Sequence, residues 1–194
     1  MLDDAALDVI FRQARSHNGW QDRPVPESLL RRVHADAIIG PTVFNSQPMR
    51  VVFVTSPEAK ARLRPVLSAG NVEKSMRAPV VALFAYDLRF YEFMPKTAPH
   101  LAGNMEKYAA DPEAQVEMLL RSASLQAAYF IIAARAHGLD CGPMSGFDMP
   151  ALNAEFFPDG RHRVNFICAL GFGDQAALRP RGARLGFDEA CTVL

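Results

Sequence analysis

Cysteine is scarce in this chain and poorly placed for structural chemistry. Cys141, Cys168 and Cys191 form an odd, widely spaced set without a C-x-x-C pair, which excludes a disulfide framework and a thiolate zinc site. The five histidines, at 17, 34, 100, 137 and 162, never recur at i, i+3 or i+4, so no metal centre is expected. A surplus of charge is missing as well. The 21 Lys and Arg balance the 21 Asp and Glu, which excludes bulk attraction to nucleic acid or to an anionic membrane. No apolar run approaches the ~20 residues of a membrane span, and Met1-Leu2-Asp3-Asp4 lacks the basic, apolar character of a signal peptide. The expectation is a cytoplasmic protein with neither nucleic-acid nor membrane partners.

What is present suits a single folded domain over residues 1–194, with 49% hydrophobic and 22% charged residues. No repeat or linker divides it. Seventeen of the 21 cations are arginine, the side chain that grips phosphate bidentately.

Leu7, Ile10, Phe11 and Ala14 predict an opening amphipathic helix that stops near Ser16 to Gly19. Pro26-Glu27-Ser28 starts a second helix with Leu29, Leu30, Val33 and Ala37 on one face, and Gly40-Pro41 ends it. Residues 50–55 and 79–86 are β-rich, with Ser56-Pro57-Glu58 opening a helix between them. Residues 87–110 mix aromatics with Pro95, Pro99 and Gly103 and follow neither period, so an irregular, mobile excursion is expected, a natural lid in an enzyme. A helix from Asp111-Pro112-Glu113 to His137-Gly138 is apolar on nearly every face over 123–134 and belongs at the centre of a fold or a dimer. A short helix over 148–157 and a buried strand over 164–170 follow. The fold class expected is α+β.

Several familiar motifs fail. Gly171-Phe172-Gly173-Asp174-Gln175-Ala176 matches G-x-G-x-x-A after a strand, but Pro180, Gly182 and Gly186 leave no room for the helix and acidic strand end that a dinucleotide turn needs. Gly142 to Gly146 places its serine one position too late for a nucleophile elbow. His137 and Cys141 read as a helix-terminal histidine and a small buried thiol rather than a thiolate pair. No catalytic residue is assigned.

Three distant segments nevertheless suit one anionic, amide-rich ligand. Arg15, Ser16 and Asn18 offer a cation and neutral donors for a phosphate dianion. Pro41, Thr42, Asn45, Gln47 and Pro48 offer amides for a ring edge that alternates donors and acceptors. Arg181 and Arg184 add two cations from the far end. In order and spacing these segments resemble the FMN-dependent nitroreductase family, and nearly the whole chain is most similar to its malonic semialdehyde reductase branch, which serves pyrimidine degradation.

The resemblance implies a nitroreductase-like α+β fold, with helices around a mostly antiparallel sheet. It also implies a homodimer with exchanged tails and FMN at the interface. It assigns the phosphate and ribityl groups to Arg15, Ser16, Asn18, Arg181 and Arg184, and a partner's flavin to the Pro41–Pro48 loop, where Val43 replaces a hydroxyl residue. Asn71 and Lys74 resemble residues at the ribityl chain and the N1/O2 side, where a cation raises the reduction potential. Pro143, Met144, Ser145 and Gly146 resemble a segment passing near N5, with glycine permitting close approach. NADH or NADPH is the implied transient hydride donor. The implied acceptor is malonic semialdehyde, with a broad nitro or quinone reductase, or a flavin binder without useful turnover, as the alternatives. Arg89, Tyr91, Lys96 and His100 are candidates for the acceptor's proton and carboxylate.

Overall fold

Branched and aromatic residues at period two build the sheet of this computed structural model, which describes residues 1–194. Four strands, β1 (Met49–Val54), β2 (Val80–Asp87), β3 (Asp140–Met144) and β4 (His162–Gly171), lie in the order β1-β2-β4-β3. Every neighbouring pair is antiparallel. β2 is buried along its whole length. Val80, Ala82, Phe84 and Tyr86 face one core, whereas Val81, Leu83 and Ala85 face another, so alternation gives the sheet two apolar faces. A bulge between Phe84 and Ala85 skips Asn165, whose amide donates to Ser124 Oγ at 2.9 Å.

Helices cover both faces. α1 (Asp4–Leu7) continues into a π turn over Asp8–Arg12, followed by α2 (Glu27–Ala37), α3 (Pro57–Leu63) and α4 (Ala69–Arg77). Then come α5 (Met94–Thr97), α6 (Met105–Ala110), α7 (Val116–Ala136), α8 (Met149–Phe156) and α9 (Phe187–Ala190). Leu29, Leu30, Val33 and Ala37 of α2 are buried as their spacing predicts. Ser56 caps α3 and Asp148 caps α8, each accepting from the backbone N–H three residues on. Leu119, Ala123, Ala127, Phe130 and Ala134 of α7 join the core under α2 and the sheet.

Several elements depart from the sequence reading. The helical span Glu113–Ala136 is long and apolar enough by composition to cross a bilayer, but α7 buries its inner face in the protein core. The opening helix is split by its π turn and buries no residue within the protomer, leaving Val9 and Phe11 more than half exposed. Residues 141–144, read as a connection, form the edge strand β3. Strand-poor Gly142 and Pro143 hide it, and a sheet edge tolerates proline because no ladder donor is required there. The 87–110 excursion is a succession of short helical turns anchored by the fully buried Phe90 and Met94. From Arg179 onward every residue is exposed.

Candidate functional site

The N-terminal arm reaches the open side of β3 as the first helix ends. Ser16 forms a parallel bridge with Cys141, and the His17 N–H donates to the Cys141 carbonyl at 2.9 Å. His17 is buried with Nε2 3.2 Å from Asp140 Oδ1, while Asp140 Oδ2 accepts from the Gly173 N–H at 2.8 Å. A Cβ on Gly173 would lie 2.0 Å from His17 Nδ1. The G-x-G-x-x-A match is therefore a packing turn for the imidazole.

This arm delivers Arg15 to the C-terminal tail. Arg15 Nη2 donates to the Arg179 carbonyl, and Arg181 Nη2 returns to the carbonyls of Arg12 and Ala14 at 2.7 and 3.0 Å. Arg184 turns back on the carbonyls of Gly182 and Ala183. Ser16 and Asn18 are exposed beside Arg15.

α4 supplies the opposite wall. Trp20 Nε1 donates to the Lys74 carbonyl at 2.9 Å, so the arm and α4 are tied. Asn71 Nδ2 donates to the Gly146 carbonyl at 2.8 Å, and the Ser68 N–H to the same oxygen at 3.1 Å. A Cβ on Gly146 would meet Asn71 Nδ2 at 2.5 Å, so only glycine allows this approach. The Met144 side chain is buried and its sulfur accepts from Ser75 Oγ at 3.8 Å. Pro143 and Ser145 are exposed.

Burial, and then the nearby Arg179 charge, hold the Lys74 ammonium below the ordinary lysine range. None of Arg15, Lys74, Arg179, Arg181 and Arg184 forms an ion pair. Arg15, Arg179 and Arg181 are tied through main-chain carbonyls, and the Arg179 charge reaches Lys74, so cations from three remote segments gather here. Sequence reasoning missed Arg179 and Trp20. The available signals were a third arginine two positions before Arg181 and the chain's only tryptophan, four residues after Ser16.

The Pro41–Pro48 loop forms a separate group. Phe44, Asn45 and Gln47 have φ of 55°, 52° and 42°, left-handed conformations that non-glycine residues adopt only at a cost. Local bonds hold them. Gln47 N–H donates to Thr42 Oγ1 at 3.2 Å, Gln47 Nε2 to Asn45 Oδ1 at 2.9 Å, and Asn45 Nδ2 to the Thr97 carbonyl at 2.7 Å. The exposed Pro41 precedes the loop, and the Val43 N–H meets Ser122 Oγ of α7 at 3.3 Å. No hydrogen bond joins this loop to the cationic group.

The sequence profile described as the Nitroreductase family matches residues 11–173. The chain belongs to the nitroreductase family. Its relatives include proteins named "Putative NADH dehydrogenase/NAD(P)H nitroreductase" from Leptothrix cholodnii, 49% identical, and Ralstonia nicotianae, 50% identical. Each alignment spans 193 residues, covering 100% of this chain and 98% of the relative. Among solved structures, an Exiguobacterium sibiricum protein described as a nitroreductase in complex with FMN superposes with a TM-score of 0.86 at 16% identity. A Staphylococcus epidermidis protein described as an NAD(P)H:FMN oxidoreductase gives 0.86 at 20%. Each superposition covers 100% of this chain and 98% of the other. The nitroreductase-like α+β fold expected from sequence is the fold observed.

Within this nitroreductase chain the buried Cys141 thiol is not poised for nucleophilic work. The Cys141 thiol is pushed well up by its hydrogen bond with Cys168 and by burial. His137 bonds Asp36 Oδ2 at 2.7 Å instead of a cysteine.

Proposed function

We propose that this chain is an FMN-dependent NAD(P)H oxidoreductase that works as a homodimer, and that its acceptor is malonic semialdehyde, reduced to 3-hydroxypropanoate. The observation that carries the reading is the unpaired cationic group of Arg15, Lys74, Arg179 and Arg181 beside the Gly146 main chain. Its donor set fits FMN. Arginines suit a phosphate dianion, and Asn71 and Ser16 suit a polyol. The FMN complex described for the Exiguobacterium sibiricum protein and the NAD(P)H in the relatives' names support the same cofactor pair.

Bound FMN would supply the hydride-carrying chemistry between NADH or NADPH and the acceptor. The chain's own part is position and charge. Arg15, Arg181 and Arg184 hold the phosphate, with Arg179 beside them. Lys74 keeps a positive charge where reduction places negative charge, and Asn45 and Gln47 present amides to the ring of the partner's cofactor. Carbonyl reduction takes up one hydride and one proton, giving the alcohol and NAD(P)+.

The dimer draws support from surfaces a single protomer leaves open. β1 is an edge strand, and a cavity of about 600 Å3 between it and α2 is lined by Val25, Leu30 and Phe53 among others. The tail exposes Leu185, Phe187, Val193 and Leu194, apolar residues suited to covering a partner's edge.

An anaerobic visible spectrum during stepwise addition of NADH and then NADPH tests the reading. A flavin spectrum that bleaches is expected and identifies the donor. Absence of flavin after incubation with FMN and desalting overturns it. The relatives' names favour a second reading, a broad nitroreductase, and comparing kcat/KM for malonic semialdehyde and a nitroaromatic separates the two.

A further inference from the structure

The helical turns after β2 bring a cation to the loop that carries Asn45 and Gln47. Asn45, Gln47, Arg50, Phe93, Lys96 and Thr97 line a cavity of about 370 Å3. No carboxylate lines it, yet two cations do, and they differ in kind. Arg50 is committed. Its Nη2 donates to Asp87 Oδ2 at 2.8 Å, its Nη1 donates to the carbonyls of Gln47 and Met49 at 3.0 and 2.9 Å, and its guanidinium lies 4.8 Å from the centre of the Phe93 ring. Asp87 is fully buried and answers that charge. Lys96, one helical turn along from Phe93, is exposed and makes no ion pair or hydrogen bond, so its ammonium is free to meet a ligand.

The four candidate residues of this excursion are thereby separated. Arg89 lies 3.8 Å from Glu92, Tyr91 packs edge-on against Phe90, and His100 is exposed outside the cavity. Of the four, only Lys96 lines the cavity together with Asn45 and Gln47.

We propose that this cavity receives the carboxylate of a short oxo-acid acceptor, with Lys96 as its counter-ion and the fixed Arg50–Phe93 pair as its wall. The inference rests on the reading above, in which the Asn45–Gln47 loop borders the flavin. To that reading it adds a residue: a small anion is admitted by an acid-free cavity and held by one free cation. A second anion of the same reaction, the 2′-phosphate of NADPH, shares that chemistry and must be distinguished.

The test uses FMN-loaded wild-type, Lys96→Met and Lys96→Arg proteins. The readout is the ratio of kcat/KM for malonic semialdehyde to that for propanal, which has the same carbon count and no carboxylate. Lys96→Met is expected to lower this ratio about tenfold, the scale of one charge-assisted contact, and Lys96→Arg to keep most of it. An unchanged ratio overturns the proposal, as does a loss seen only as a raised KM for NADPH relative to NADH. Calorimetric binding of malonate reads the same cavity without turnover. A Kd about tenfold weaker in Lys96→Met supports the assignment, and equal Kd values overturn it. Bleaching of the flavin by the nicotinamide, recorded first, separates failure of the oxidoreductase reading from failure of the Lys96 assignment.

Discussion

The indole Nε1 of Trp20 donates to the main-chain carbonyl of Lys74 at 2.9 Å, fastening the arm that carries Arg15 and Ser16 to the helix that carries Asn71 and Lys74. The neighbouring His17–Asp140 pair fastens the same arm to β3. Trp20→Phe keeps most of the buried ring but removes the indole donor, leaving the Lys74 carbonyl with the Ala78 N–H alone, at 3.2 Å. A stability loss of about 1–2 kcal/mol is expected by urea unfolding, with weaker FMN binding. A variant that loses stability but binds FMN with wild-type affinity separates the fastening from the site.

Lys74 carries a charge that burial and Arg179 both disfavour. Its folded pKa is depressed, so between that value and the ordinary lysine range the unfolded chain binds more protons, and the group's cost to the apo fold shrinks as pH rises. Anion binding runs the other way, because FMN needs the protonated form. The FMN Kd of the wild type is therefore expected to weaken as pH climbs through the depressed pKa. Lys74→Arg, which keeps its charge, should hold a flatter profile, and Lys74→Met should bind about tenfold more weakly at neutral pH. Flavin fluorescence titrations between neutral pH and the lysine range decide it, and identical profiles for all three proteins remove Lys74 from the site.

Much of this arrangement is legible in the sequence where one rule acts alone. Period 3.6 places Leu29, Leu30, Val33 and Ala37 on one buried face, and Ser56-Pro57 marks a helix start because capping chemistry is local. β3 escapes notice because its glycine and proline serve close packing and an edge, and both contradict strand propensity. Arg15 and Arg181 are legible as cations, but their meeting depends on a tail that crosses 164 residues of sequence to Arg15, a tertiary fact with no local signature. The same holds for Asp87, an ordinary-looking acid after a strand that proves to be fully buried.

Asp87 accepts from Arg161 Nε and Nη2 at 2.9 and 3.0 Å and from Arg50 Nη2 at 2.8 Å. Burial opposes its charge, but the Arg161 bonds, the Arg89 N–H and the two guanidinium charges hold its pKa below the ordinary 3.8. A depressed carboxyl contributes stability that is present above its unfolded pKa and is lost as pH falls through the folded one. Asp87→Asn deprives Arg50 of its carboxylate and leaves Arg161 with Glu92 alone, at 3.0 Å, and a loss of about 3 kcal/mol at pH 7 is expected. Urea unfolding at pH 7 and again well below the carboxylate range measures it, and the gap between variant and wild type should narrow in acid.

Gly173→Ala tests the packing turn. The new Cβ would overlap the His17 ring, which has no free space because it is 2% exposed and bounded by Trp20 and Asp140. Overpacking of this kind costs about 1–3 kcal/mol. Displacing His17 also loosens the Ser16–Cys141 bridge, so FMN affinity should fall with the melting temperature. Gly103→Ala, where a Cβ meets nothing within 4 Å, is the control expected to leave both unchanged.

The exposed tail bears on assembly. Residues 185–194 follow the last cation of the site, Arg184, and carry Leu185, Phe187, Val193 and Leu194 into solvent, while β1 and its cavity lie uncovered. If the tail covers a partner's edge, deleting 185–194 removes apolar contact from both halves of the interface at once, because a two-fold assembly repeats every contact. The truncated chain should then show a dimer dissociation constant raised at least about tenfold by sedimentation equilibrium. It should also lose flavin, since the Asn45–Gln47 loop would no longer reach a neighbour's cofactor. A truncated chain that stays dimeric with full flavin content would place the interface on α7 and the opening helix, where Leu125, Tyr129, Val9 and Phe11 are also exposed, and would leave the tail to its cations alone.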